Sequence, residues 1–90
     1  DLQVMLDSIS QGAAGSWQMS NIAPKILSGD FQPGFFMKHY IKDMKIAAEE
    51  GRDREVSMPV LEEVLNMYEQ LSQKGMEDLG TQALIRYYEK

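Results

Sequence analysis

The stretch G29-D-F-Q-P-G-F-F-M-K-H-Y-I-K-D-M-K-I-A-A-E-E50 decides how this chain is read, because its helical part has two apolar sides. At about 100° per residue, Met37, Tyr40, Ile41, Met44, Ala47 and Ala48 gather on one face, the signature of a helix facing a core. Phe35 and Ile46 project to nearly the opposite side, with His39 and Lys42 between them. Two bulky apolar residues suit a solvated face poorly, so that side asks for a partner.

Little else in the chain can supply one. Its 90 residues suffice for one modest core, and the reading is a single helical domain, 1–90. A hydrophobic fraction of 43% and a charged fraction of 26% are ordinary for a globular protein. The net charge of −5 argues against nucleic acid or an anionic membrane as partner. No run of about 18 apolar residues is present to span a bilayer. With no cysteine, disulfides and thiolate metal sites are out, and a reducing, cytoplasmic setting is expected. The opening D1-L-Q-V-M-L-D-S-I-S10 lacks the basic-then-apolar order of a signal peptide. Leu2, Met5, Leu6 and Ile9 are already in helical register there with no N-cap ahead of them, which reads as a piece of a longer polypeptide.

Outward from the central stretch, the pattern predicts five helices. The first covers Leu2 to Ser10, with Gly12 as its C′ residue. The second starts at Trp17 behind a Ser16 cap, is kinked or interrupted by Pro24, and finishes near Leu27. The third runs from Phe35 to Glu50 and is stopped by Gly51. The fourth follows a Ser57 cap and Pro59, carries the stripe Val60, Leu61, Val64, Leu65, Tyr68 and Leu71, and ends at Gly75. The fifth, Thr81 to Glu89, takes Asp78 as its cap. No segment alternates with period two, so the fold class is all-α, an irregular bundle of about five helices.

Most site chemistries fail on composition. One histidine and no cysteine build no zinc site, no Asp-rich loop has calcium spacing, and G12-A-A-G15 follows no strand. Ser8, Ser10, Ser16 and Ser20 have no histidine nearby in sequence, and His39 reads as a surface or interface residue. Trp17 reads as a core anchor and the seven methionines as packing. Lys38, Lys42 and Lys45 share a face at i, i+4 and i+7, ordinarily a solvated stripe.

In the order G12-A-A-G-S-W17, A23-P-K-I-L27, G29-D-F-Q-P-G-F35, K42-D-M-K-I-A47, M58-P-V60 and D78-L-G-T-Q-A-L-I-R-Y-Y-E-K90, the chain closely resembles one domain. It is similar to the C-terminal helical domain of the β-hydroxyacid dehydrogenases. That family includes 3-hydroxyisobutyrate dehydrogenase and 2-hydroxy-3-oxopropionate reductase, and is related to 6-phosphogluconate dehydrogenase. The most specific combination is F-x-P-G-F, Phe31 to Phe35, followed seven residues later by Lys42-Asp43 and a hydrophobic residue.

The resemblance implies a 6-phosphogluconate dehydrogenase-like helical domain. It would serve substrate binding and dimerisation in an enzyme interconverting a short 3-hydroxy acid and its oxo or semialdehyde form. NAD or NADP would be bound mainly by an N-terminal Rossmann domain. The acid–base lysine would also lie upstream, so no catalytic residue is assigned here. By the same resemblance Lys42 would reach the cofactor or substrate, and Phe35 and Asp43 would stand near the substrate. The partners expected are the small substrate, the chain's own Rossmann domain and further copies of itself. A stand-alone helical interaction module is the alternative; a glycine-rich βαβ fingerprint upstream decides for the enzyme.

Overall fold

Two long helices lying against each other carry the larger part of the molecule, and their buried faces follow from the apolar spacing just described. The structure is a computed structural model, and it describes residues 1–89. It contains α1 (Leu2–Ile9), α2 (Trp17–Asn21), α3 (Ala23–Ser28), α4 (Met37–Asp53), α5 (Pro59–Gln73) and a 3₁₀ helix (Thr81–Tyr88). No named strand occurs among the described residues; one isolated antiparallel bridge joins Phe36 and Gly80. The chain divides into two compact units, Asp1–Phe31 and the part beginning at Gln32.

In the first unit, α1 lies against α3. Asp1 caps α1, its side chain accepting from the Gln3 N–H at 2.8 Å, so the helix has the N-cap that the sequence reading found missing. The helix ends at Ser10, and Gly12 is not left-handed. Gly15 is the glycine the turn requires, because a Cβ there would run into the Ser10 carbonyl. Ser16 caps α2 as predicted, accepting from the Met19 N–H at 3.0 Å. The interruption expected at Pro24 falls at Ile22, two residues ahead, which leaves Pro24 in the first turn of α3. Gly29, at φ 78°, then closes α3 with a pair of bonds from its own N–H and that of Asp30. Trp17 is 66% exposed and anchors no core.

In the second unit, α5 is covered on two sides, by α4 and by the 3₁₀ helix. The core combines Met37, Ile41, Met44 and Ala48 from α4 with Leu65, Met67, Tyr68 and Leu71 from α5, and Ala83. Each such side chain, fully buried, contributes on the order of 1.5–3 kcal/mol if it is as large as Leu or Met. The predicted stripes hold in their centres and fail at their edges. Ala47 is exposed and Tyr40 half-buried. Val60 is 76% exposed, and Met67 is buried in addition, as a helix covered on two sides allows. No side-chain bond from Ser57 caps α5; its cap is Met58, ahead of Pro59. Gly75, at φ 87°, ends the helix as expected, with Gly75 N–H bonded to Ser72 O and Met76 N–H to Leu71 O.

Two termini depart from the sequence reading for clear reasons. Gly51 does not stop α4. It is buried inside the helix, where a Cβ would press on the Met58 thioether at 3.2 Å. The stop comes four residues later, where Glu55 takes φ 58° and the Val56 N–H bonds to Gly51 O at 2.8 Å. The terminal segment, expected to be α-helical, is a 3₁₀ helix beginning after Gly80. The Tyr68 hydroxyl donates to the Thr81 carbonyl at the start of this 3₁₀ helix at 2.8 Å.

A left-handed backbone costs a residue with a Cβ about 1–2 kcal/mol, part of which glycine's extra unfolded-state entropy offsets. Glu55→Gly is therefore expected to stabilise the chain by about 0.5–1 kcal/mol, whereas Gly51→Ala should destabilise it. Urea denaturation of the three proteins checks this. A less stable Glu55→Gly would show that the left-handed conformation is not retained.

Candidate functional site

The N-terminus of α4 organises the second unit's surface. Its cap residue, Phe36, is extended and makes no side-chain cap bond. The first free amides are satisfied from far along the chain, Met37 N–H by Leu79 O at 2.9 Å and Lys38 N–H by Glu77 O at 3.0 Å. Thr81 N–H returns a bond to Phe35 O at 3.1 Å, and Gln82 Nε2 donates to Gln32 O at 3.0 Å. The segment before α4 is thus stitched to the segment after α5.

Phe35 is placed by this stitching rather than by helical geometry. It precedes α4, so the 100° projection that set it opposite the core stripe does not apply to it. Its ring stands 6.3 Å from His39 and, edge-on, 6.0 Å from Tyr40, yet remains 44% exposed. The ring contacts continue from Tyr40 to Tyr68 at 5.3 Å and from His39 to Phe36 at 5.4 Å. Burial, with Tyr40 adding to it, pushes the Tyr68 hydroxyl up to about 12.

The three lysines of α4 are not equivalent. Lys38 donates to Asp78 at 2.7 Å and lies 5.2 Å over the Phe36 ring. The Asp78 hydrogen bond and charge hold its ammonium above the usual lysine range. Asp78, read from sequence as a helix cap, is therefore an ion-pair partner, and nothing local in the sequence signals a contact across 40 positions. Lys42 and Lys45 have no carboxylate partner among the described residues. Both line an open groove of about 380 Å³ with Lys38, Ile41, Ile46, Glu49, Ser72 and Glu77.

Of the three site residues read from sequence, Lys42 lies in this groove, and Phe35 and Asp43 do not line it. Phe35 sits at the start of α4 in the aromatic cluster, and Asp43 is exposed on the helix without a partner among the described residues. Ile46, 58% exposed, extends the apolar wall beside Lys42. Sequence reasoning missed Tyr68 as a hydrogen-bonding centre and Gln82 altogether. A lone glutamine in an amphipathic run carries no signal of burial.

The groove thus sets three lysines, one of them paired with Asp78, against Glu49, Glu77 and the exposed Ile46. Residues 1–88 match the profile of the family described as the NAD-binding region of NADP-dependent 3-hydroxyisobutyrate dehydrogenase. The chain belongs to that family of NAD(P)-linked dehydrogenases. It is 46% identical over 86 residues to the uncharacterized oxidoreductase YkwC of Bacillus subtilis, covering 96% of this chain and 30% of YkwC. It is 38% identical over 90 residues to a probable 3-hydroxyisobutyrate dehydrogenase-like 1, mitochondrial, of Arabidopsis thaliana, covering 100% of this chain and 27% of that protein. The crystal structure of 3-hydroxyisobutyrate dehydrogenase from Salmonella typhimurium matches with a TM-score of 0.83 at 26% identity, over 94% of this chain and 30% of that one. This chain therefore spans less than a third of the length of these relatives. Among the described residues no helix is long and apolar enough to cross a membrane.

Tyr68 gives the second unit an alkaline limit. An ordinary tyrosine loses its proton near 10.0, while the buried one keeps it to about 12. Below pH 10 the hydroxyl is protonated in both folded and unfolded chains, so its contribution is complete. Between these values only the unfolded chain ionises, and stability should fall with rising pH. Tyr68→Phe should cost about 1 kcal/mol at pH 7 through the lost bond to Thr81 and flatten that alkaline decline. Thermal midpoints from pH 7 to 11.5 test it; parallel curves for both proteins would contradict it.

Proposed function

We propose that this chain is the C-terminal helical portion of a cytoplasmic NAD(P)-dependent β-hydroxyacid dehydrogenase, working as the substrate-side wall of its active cleft. The enzyme would interconvert a short 3-hydroxy acid and its oxo or semialdehyde form, and its helical domains would pair into an oligomer. The observation that carries the reading is Lys42, a cation without a carboxylate among the described residues, set beside exposed Ile46. Family membership, and relatives named for 3-hydroxyisobutyrate dehydrogenase, support this substrate class.

The residues suit part of a nicotinamide dinucleotide site, not all of it. An uncompensated ammonium beside apolar surface fits the anionic and ribose portions of such a molecule, or a substrate carboxylate. When bound, the nicotinamide supplies the hydride chemistry. Lys42 would then hold negative charge by a charge-assisted hydrogen bond, Phe35 would exclude water from the reacting zone, and Asp43, exposed on the helix, would stand near the substrate. Glu49 and Glu77 also line the groove and keep its charge modest, which fits a dinucleotide held chiefly by another domain.

Two measurements test this. The 90-residue chain alone should show no hydride transfer at the reduced-nicotinamide absorbance band with candidate hydroxy acids; turnover above background would sink the reading. In the longer dehydrogenase, Lys42→Ala should leave melting unchanged, because the side chain is off the core stripe. It should lower kcat/KM by about 2–3 kcal/mol, or roughly 30- to 150-fold. Lys45→Ala should change little, and Lys38→Ala should act through its link to Asp78. Equal, near-wild-type kinetics for all three variants would return these lysines to a solvated stripe.

A further inference from the structure

Gln82 is 7% exposed, the one polar residue recorded as buried among those described. An amide at such a place is costly unless its donors and acceptors are used, and an apolar residue would fill the space without that demand. What it does there is specific. Its Nε2 donates to the Gln32 carbonyl at 3.0 Å, reaching back 50 positions. Gln32 opens the short loop Gln32-Pro33-Gly34-Phe35. Pro33 brings no backbone donor, and a side chain at Gly34 would meet nothing within 4 Å. The far end of the loop is held by Thr81 N–H on the Phe35 carbonyl at 3.1 Å. Adjacent residues of the 3₁₀ helix, 81 and 82, thus grip the loop at both ends.

Gly80 makes room for this grip. Its backbone, at φ −69° and ψ 162°, is one that any residue adopts, so conformational freedom does not account for the glycine. Space does. A Cβ at Gly80 would overlap the Gln82 Oε1 and stand 2.8 Å from Cδ, because the carboxamide folds back directly over the glycine.

We propose that Gln82, seated over Gly80, is a positioning residue for Phe35. It fixes the loop that delivers the Phe35 ring to the surface. The ring's recorded aromatic contacts, His39 and Tyr40, both lie in the first turn of α4, so they steady the ring while the loop sets where it stands. The functional consequence rests on the reading of Phe35 as part of the cleft wall; the positioning itself does not.

The test uses two variants that disturb the device from different sides, Gln82→Ala and Gly80→Ala. The second keeps Gln82 in the chain and evicts its carboxamide, so it stands even if the first folds poorly. In the 90-residue chain, both should move the Phe35 ring-proton resonances away from the positions set by the Tyr40 and His39 ring currents. The Ile46 methyl resonances should stay in place. Phe35 resonances unchanged in both folded variants would overturn the proposal. In the longer dehydrogenase, both variants should lower kcat by about tenfold with the cofactor KM nearly constant, since a small misplacement acts on the reacting geometry. A Phe35 ring that moves without any change in kcat would uphold the positioning and reject the cleft-wall role of Phe35. Loss of activity in Phe35→Ala, with an unmoved ring in the Gln82 and Gly80 variants, would do the reverse.

Discussion

The first backbone amides of α4 have no side chain to cap them, and the carbonyls of Leu79 and Glu77 meet that need. A helix N-terminus left without acceptors forfeits several hydrogen-bond equivalents, so the requirement is strict. Meeting it from 40 residues away forces the chain after α5 to return across the start of α4. The Phe36–Gly80 bridge, the Thr81-to-Phe35 bond, the Gln82 grip and the Lys38–Asp78 pair all lie along that return. Tyr68 fixes it from below by donating to the Thr81 carbonyl.

This arrangement separates two kinds of cation on one helix. Lys38 stands where the returning segment passes and is taken up by Asp78. Lys42 and Lys45 stand one and two turns further on, without a carboxylate partner among the described residues, and all three lysines line the groove. An exposed ion pair such as Lys38–Asp78 adds little to stability, and its larger effect is to compensate one of the groove's three ammonium charges. A stripe that looks uniform in spacing is therefore divided in its chemistry.

Exposed Phe35 and Ile46 belong to the same account. Neither is buried in the second unit's own core, and the chain spans less than a third of the relatives it matches. Under the proposed cleft-wall role, closing the cleft would bury both side chains and strengthen the interactions of Lys42, which lies beside Ile46.

The sequence by itself determined the helical class, the central stretches of the two long core faces, the Ser16 cap, the Gly75 stop and the family resemblance. These are local properties, set by apolar periodicity, by which residues accept from free amides and by which tolerate a positive φ. Phe35, Asp43 and Lys42 could be singled out, but not their separation into an aromatic cluster, an exposed flank and a groove. Tertiary structure alone decided that Gly51 lies within α4, that Glu55 adopts the left-handed turn, that the last segment is 3₁₀, and that Gln82 reaches Gln32. They depend on contacts that no helical period encodes: the Met58 thioether against Gly51, the Val56 N–H on Gly51 O, the Tyr68 hydroxyl on Thr81 and the Gln82 amide on Gln32. A hydrogen bond or contact across tens of residues leaves no periodic trace in the chain that makes it.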